Sequence, residues 1–154
     1  MKINFIEKII GSVFFTGYFP WATGTFASFI ALCFYLIPGF ENPTLLLILI
    51  SVLIVFGIGL AEKFEKSYGK DPKEFTLDEL IGTWISFLFL PKSIFLIVPA
   101  FLIWRIMDII KPFPIRKIEK LRGGWGVVLD DVVAAFYSFI IIQITLNLFY
   151  NSLI

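Results

Sequence analysis

The stretch TLLLILISVLIVFGIGLA, residues 44–61, runs for 18 positions without a charged side chain. A helix of about 20 predominantly apolar residues is long enough to cross the hydrocarbon core of a bilayer. Charged residues begin directly afterwards, at Glu62 and Lys63, where such a helix would reach water. This stretch therefore predicts a membrane-spanning helix.

Four further apolar runs are separated by polar, proline or glycine residues. They cover residues 25–37, 80–90, 93–110 and 132–150. Between the second and third of these runs, Pro91 and Lys92 predict a turn between antiparallel helices, because proline interrupts a helix and a charge is unfavourable in mid-membrane. We expect one all-α domain over residues 1–154. It would be a small polytopic membrane bundle of about five hydrophobic helices, the first and third of them short.

The composition agrees with a membrane protein. Of the 154 residues, 58% are hydrophobic and 16% are charged, with a mean hydropathy of +0.91. Soluble domains average about 25% charged residues. The apolar content excludes a disordered chain. The formal net charge of +1 gives no general attraction for nucleic acid, so none is expected as a partner.

The chain has no histidine and a single cysteine, Cys33. A Ser-His-Asp triad, a histidine-ligated zinc site and a phosphohistidine intermediate are therefore excluded. Cys33 lies within an apolar run, which predicts a buried, unreactive thiol. Chemistry must come from carboxylates, hydroxyls, backbone amides, lysine and arginine.

The charged residues fall mostly on one side of the predicted bundle. If successive connections alternate between sides, one side holds 12 of the 13 basic residues and 11 of the 12 acidic residues, leaving Lys92 and Glu41 opposite. The positive-inside rule makes the charged side cytoplasmic. We expect a multi-pass membrane protein whose chemistry lies on the cytoplasmic face. Glu7 and Lys8 interrupt the first residues, so we expect no cleaved signal peptide there.

One basic segment follows the apolar run at residues 93–110. Ile115, Ile118 and Leu121 recur every three residues among four lysines and arginines. This spacing predicts an amphipathic helix in the membrane interface, facing anionic headgroups. A basic loop that only obeys the positive-inside rule explains the segment equally well.

Two motifs with glycine, hydroxyl or acidic residues come at the beginnings of predicted helices. In the first, Gly24 precedes Thr25, a predicted N-cap, and Ser28 follows three residues later. Free amides at such a position favour an anion, although a plain helix cap is the alternative. In the second, Asp78 and Glu79 open an apolar helix. They are either caps that compensate the helix dipole or hard oxygen ligands for Mg²⁺.

The third motif lies at the end of the apolar run at residues 93–110. Arg105, Asp108 and Lys111 are spaced three residues apart, so they share one face of a helix that Pro112 ends. Such a stripe is either a ladder of side chains that neutralise one another or a phosphate clamp with a carboxylate at its centre.

The fourth motif combines glycines with another acidic pair. Gly123, Gly124 and Gly126 precede Asp130 and Asp131. The glycines give the backbone freedom to fold over a ligand, and we expect the acidic pair to open the last helix. With no histidine and no cysteine-phosphatase motif, these carboxylates favour metal-assisted hydrolysis of a phosphate. The expected substrate is an anionic phosphate at the cytoplasmic surface of the lipid bilayer.

Together the four motifs resemble those of the phosphatidylglycerophosphatase A family, over roughly residues 17–135. The most specific parts are Asp78-Glu79-x-x-Gly82, Arg105-x-x-Asp108-x-x-Lys111-Pro112-x-Pro114, and Gly123-Gly124-x-Gly126 followed by Asp130-Asp131. The resemblance implies Mg²⁺-dependent hydrolysis of phosphatidylglycerophosphate, an anionic phospholipid in the cytoplasmic leaflet, to phosphatidylglycerol. It also implies a multi-pass protein of the bacterial inner membrane whose active site faces the cytoplasm. Thr23, Ala27 and Ala135 depart from the family pattern, which more often has proline at the first position and glycine at the other two.

The resemblance also assigns roles residue by residue. The candidate metal ligands are Asp78, Glu79, Asp130 and Asp131. Asp108 is a further ligand or the base that orients water, and Arg105 and Lys111 contact phosphate. The candidate substrate-binding residues are Gly24, Thr25, Ser28 and Gly124.

Two alternatives stay open from the sequence. A phosphatase for phosphatidate or an isoprenoid phosphate would need the same residues, since the scissile group is the same. A small transporter would use the acids as an ion relay, but that requires acids within the spans, whereas each acid here lies at a helix end or in a loop.

Overall fold

The computed structural model describes residues 3–151, which form seven α-helices and a short 3-10 turn, with no strand in that range. The helices are α1 (Phe5–Gly11), α2 (Thr23–Leu36), α3 (Pro43–Tyr68), α4 (Leu77–Ser86), α5 (Ile94–Ile110), α6 (Ile115–Ile118) and α7 (Gly124–Asn151), and the turn is Thr16–Tyr18. The five predicted apolar runs correspond to α2, α3, α4, α5 and α7. The all-helical class is confirmed.

Local sequence sets the ends of the principal helices. The side chain of Asn42 caps α3 by accepting hydrogen bonds from the amides of Thr44 and Leu45, at 2.9 and 3.3 Å. Helix α5 ends before Pro112, which lacks an amide hydrogen, and Lys111 caps the helix in the left-handed conformation with φ +47°. Asn42 thus sets the start of α3, and Pro112 sets the end of α5, where the third motif lies.

Helix α4 lies at the centre of the bundle and packs against α2, α3, α5 and α7. Nine of its ten residues are buried. Ten helical residues span only about 15 Å, half of a bilayer core, so α4 is a core helix rather than a crossing. Its central position places the acidic pair of the second motif among the surrounding helices.

Among the described residues, two helices are long and apolar enough to cross a membrane, namely α3 and residues 124–148 of α7. The surface of α3 agrees with a lipid environment: Ile48, Val52 and Val55 are 58%, 59% and 77% exposed. The placement of all five hydrophobic helices in the membrane stays a prediction. The two charged residues assigned to the opposite side, Glu41 and Lys92, form an ion pair at 2.6 Å.

Three local predictions are wrong. Cys33 is exposed on α2 rather than buried, because its side of the helix faces away from the core. The basic segment forms a single helical turn, Ile115–Ile118, rather than a longer amphipathic helix. Helix α2 begins at Thr23 after Ala22, a residue in the left-handed conformation, so Thr25 lies inside the helix and is not its N-cap.

Candidate active site

Three carboxylates from three different helices converge at one end of the bundle. Glu79 lies in the first turn of α4, Asp108 in the last turn of α5 and Asp131 in α7. One carboxylate oxygen of each residue lies within 4.8 Å of those of the other two. Asp108 and Asp131 are 7% and 5% exposed. We refer to Glu79, Asp108 and Asp131 as the acidic triad.

Glycine at position 24 lets α2 approach the acidic triad. A Cβ atom added to Gly24 would lie 1.8 Å from Oε1 of Glu79, far inside van der Waals contact. Ser28, one turn further along α2, donates a hydrogen bond to Oε2 of Glu79 at 3.4 Å. Helix α2 thus forms one wall of the site through its first two turns.

Arg105 balances part of the negative charge of the triad. Its guanidinium pairs with Glu79 and lies 3.1 Å from Oδ2 of Asp108. Nη1 also donates to Oγ of Ser28 at 3.3 Å, and the same hydroxyl oxygen accepts from Nε1 of Trp104 at 3.4 Å. Within the part of the chain that the structure describes, Nε of Arg105 is buried without a hydrogen-bond partner. Arg105 is therefore held by its Nη1 contacts.

Lys111 is paired with the neighbouring acid of the fourth motif. Its Nζ lies 2.6 Å from Oδ2 of Asp130 and 3.7 Å from Oε1 of Glu119. Because Lys111 leaves the helix in the left-handed conformation, it faces α7 rather than continuing the stripe of Arg105 and Asp108. The predicted common face of the third motif holds for its first two residues only.

A cavity of about 310 Å³ opens beside the triad. Its charged lining residues are Asp71, Asp78, Glu79, Asp108, Asp130, Asp131, Lys73 and Lys111. Six acids thus face two lysines. A phosphate group would meet strong repulsion here unless a cation accompanied it or some acids were protonated.

Burial and neighbouring charges shift the pKa values of ionisable side chains in the site. Burial, followed by the negative charge of Asp108, raises the pKa of Glu79 to about 7, although Arg105 acts in the opposite direction. Burial on its own would lower the pKa of Lys111, but the hydrogen bond to Asp130 and the nearby negative charge raise it overall. Lys111 is therefore a permanent cation, whereas the raised pKa of Glu79 disfavours its charged form.

The structure brings together most of the candidate residues. Six of them line the cavity: Asp78, Glu79, Asp108, Lys111, Asp130 and Asp131. Asp130 and Asp131 lie well inside α7, which begins at Gly124, so the expectation that they open the last helix is wrong. Each acidic pair is divided. Glu79 and Asp131 belong to the acidic triad, whereas Asp78 and Asp130 line the cavity outside it.

The candidate substrate-binding residues are more scattered. Gly24 and Ser28 contact Glu79. Thr25 is exposed on α2, and the threonine of this segment that lines the cavity is Thr23. A Cβ atom on Gly124 would lie 1.9 Å from the carbonyl oxygen of Ile58, so this glycine lets α7 pack closely on α3. Binding of substrate by these residues stays a prediction.

Sequence reasoning missed three polar cavity residues in the segment that precedes α4. Asp71 and Lys73 come from the α3–α4 loop, and Thr76 lies next to α4. Charged residues in a hydrophilic loop carry no distinguishing spacing. Their role follows only from the way the loop closes over the start of α4.

Comparison with known proteins identifies the relatives of this arrangement. The family model described as phosphatidylglycerophosphatase A matches residues 9–146, which include all three triad residues and the lining of the cavity. The chain belongs to the phosphatidylglycerophosphatase A family. It is a phosphatase of membrane character.

Three curated relatives of this phosphatase are informative. A Bacteroides thetaiotaomicron protein named "Putative phosphatidylinositol-3-phosphatase" is 38% identical over 149 residues, covering 92% of this chain and 94% of the relative. Phosphatidylglycerophosphatase A of Escherichia coli is 34% identical, covering 90% and 82%. That of Haemophilus influenzae is 37% identical, covering 62% and 61%. No solved structure shows significant similarity to the chain.

Proposed function

We propose that this phosphatase hydrolyses phosphatidylglycerophosphate to phosphatidylglycerol and inorganic phosphate, at the cytoplasmic surface of the bacterial inner membrane. The observation that carries the proposal is the acidic triad with Arg105 and Lys111 at one end of the bundle, where α5 ends and α7 begins. Two curated relatives named phosphatidylglycerophosphatase A support the choice of substrate.

The chemistry of the donor set fits a divalent cation. Glu79, Asp108 and Asp131 offer oxygens within 4.8 Å of one another, and Mg²⁺ prefers carboxylate oxygens together with water and phosphate oxygens. Bound there, Mg²⁺ would neutralise phosphate oxygens and lower the pKa of water. Asp78 and Asp130 line the same cavity and are the candidates for a wider ligand set.

Of the two cations in the third motif, Lys111 is suited to the phosphate itself, and Arg105 is suited to holding the triad. Lys111 lines the cavity as a permanent ammonium group, held in place by Asp130, and can donate to a non-bridging phosphate oxygen. Arg105 lies behind the triad and holds Glu79 and Asp108, so we assign it the positioning of these carboxylates.

The reaction needs one bond made and one broken. A water oxygen attacks phosphorus, the bond from phosphorus to the glycerol oxygen breaks, and that oxygen takes up a proton. Asp108 is buried and faces the cavity, which makes it the candidate for orienting the attacking water when it does not serve as a ligand. Asp131 and Glu79 would then hold the cation.

The charge distribution favours the cytoplasmic orientation. The triad lies at the end of the bundle that carries nearly all basic residues, while Glu41 and Lys92 pair with each other at the other end. Positive charge is retained on the cytoplasmic side of membrane proteins. A phospholipid in the inner leaflet would then present its headgroup to the cavity.

Phosphate release from purified protein in detergent tests the proposal. We expect release from phosphatidylglycerophosphate with Mg²⁺ and none after chelation, with Glu79→Gln and Asp131→Asn inactive. Glu41→Gln, the same kind of change at the opposite end, should leave the rate unchanged. Mg²⁺ should also raise the unfolding temperature of the unchanged protein but not of Asp131→Asn, because binding to the folded state stabilises it. Full activity in the chelated protein would disprove the metal assignment.

A second candidate substrate is phosphatidylinositol 3-phosphate. It is favoured by the Bacteroides thetaiotaomicron relative, whose name specifies that activity and whose alignment covers 92% of this chain. A panel that includes this lipid, phosphatidylglycerophosphate, phosphatidate and an isoprenoid phosphate separates the candidates through kcat/KM. A higher kcat/KM for phosphatidylinositol 3-phosphate would replace our first assignment.

A further inference from the structure

A second cavity, of about 480 Å³, lies between the end of α3 and the segment that leads into α7. Its charged lining residues are Lys66, Lys70, Lys120, Arg122, Glu62 and Glu65. We refer to this cavity as the basic cleft. The charge balance is opposite to that of the catalytic cavity, where acids outnumber lysines.

Much of the positive charge in the basic cleft is not neutralised. Lys66 pairs with Glu62 at 2.6 Å, one turn apart on α3. Among the residues that the structure describes, Lys70, Lys120 and Arg122 have no ion-pair partner within 4.0 Å, which leaves an excess of two positive charges over the acids of the cleft. An anion can therefore bind here without an accompanying metal ion.

The position of the basic cleft matches the level of lipid headgroups. It lies where the two membrane-length helices meet the polar part of the chain, beyond the apolar stretch of α3 and just before α7. Leu121 in the lining is 45% exposed, and Trp125 in the first turn of α7 is 55% exposed. Exposed tryptophan and basic side chains at helix ends are typical of the interface between bilayer and water.

We propose that the basic cleft binds the phosphate of an anionic phospholipid headgroup, at a site separate from the catalytic cavity. The lipid would be a phosphodiester that the enzyme does not hydrolyse, with its acyl chains beside the apolar surfaces of α3 and α7. The proposal goes beyond the proposed function, since it requires no particular substrate and no hydrolysis.

Fluorescence of Trp125 provides the test. In a Trp21→Phe background the other tryptophans, Trp84 and Trp104, are 6% and 0% exposed, so Trp125 is the accessible fluorophore. The full chain in neutral detergent micelles is titrated with phosphatidylserine carrying brominated acyl chains, which quench a nearby indole. Phosphatidylserine has no phosphomonoester, so a failure of this titration is distinguishable from a failure of the proposed phosphatase activity.

Variants with reversed charges inside and outside the basic cleft test whether the cleft residues bind the lipid. Each basic residue near an anionic lipid surface contributes about 1 kcal/mol, so Lys120→Glu with Arg122→Glu should raise the lipid fraction at half-quenching by roughly tenfold or more. Lys8→Glu with Lys117→Glu makes the same charge change outside the cleft, and this pair should raise the lipid fraction at half-quenching much less. Lys120→Gln with Arg122→Gln, a milder pair, should give an intermediate shift.

Three results would overturn the proposal. Equal shifts in the two reversed pairs would mean that only overall charge matters. The absence of a shift in the cleft variants would mean that the lipid binds elsewhere. Complete relief of quenching by millimolar inorganic phosphate would mean that the cleft binds free phosphate rather than a lipid headgroup.

Discussion

Replacement of Gly24 by alanine should strongly lower kcat/KM while the fold is retained. The added Cβ atom would lie 1.8 Å from Oε1 of Glu79 and 3.2 Å from Nη2 of Arg105. Contacts under 3.0 Å are essentially never found for a real Cβ atom, so the carboxylate must retreat by 1.2 Å or more. That movement takes the Glu79 carboxylate away from those of Asp108 and Asp131 and from the hydroxyl of Ser28.

The expected loss follows from this displacement. A misplacement of about 1 Å in catalytic geometry can cost about 100-fold in rate, so we expect kcat/KM for phosphatidylglycerophosphate to fall by about that factor. Stability should change little, because the displaced atoms are the free end of a flexible side chain. Alanine also favours a helix over glycine by up to about 1 kcal/mol.

The assay compares two glycine variants. Phosphate release and thermal unfolding in detergent are measured for Gly24→Ala and for Gly59→Ala, where an added Cβ atom meets nothing within 4 Å. We expect Gly59→Ala to keep full activity. A Gly24→Ala enzyme with kcat/KM within about threefold of the unchanged protein would refute the reasoning, because Glu79 would then tolerate the movement.

Three further predictions concern packing, charge and exposure. Gly82→Ala places a Cβ atom 2.2 Å from the buried ring of Trp104, so denaturant unfolding in detergent should show a loss of about 1–3 kcal/mol; unchanged stability would contradict this packing. Lys111→Met should lower kcat/KM about 30-fold, because a charged hydrogen-bond donor to phosphate is lost and Asp130 is left unpaired; Lys111→Arg should recover part of it. Cys33 should react with a membrane-permeant maleimide in the folded protein, and labelling only after denaturation would contradict its exposure.

Much of the fold follows from local sequence. Each of the five apolar runs forms a helix, because long apolar segments in a membrane must satisfy their backbone groups internally. Pro112 ends α5 as predicted, and Asp78 and Glu79 open α4 as predicted. Thr25 and the Asp130–Asp131 pair were placed wrongly at helix starts, because α2 and α7 begin earlier than capping preferences indicate.

The depth of each helix in the bundle could not be predicted from its own residues. The apolar run of α4 resembles a short span, yet its ten residues are enclosed by four other helices. Cys33 lies in an equally apolar run but on an exposed face. Burial depends on which neighbours a helix meets, and hydropathy does not specify them.

The sequence by itself determined which kinds of side chain this phosphatase can use. It supplies no histidine, concentrates carboxylates in four motifs and separates charge from long apolar runs, and each of these properties can be counted along the chain. Only the tertiary structure decided which acids lie together. Glu79, Asp108 and Asp131 are tens of residues apart in sequence and converge because α5 and α7 both pack on α4. Likewise, Lys111 meets Asp130 only because the chain leaves α5 in the left-handed conformation.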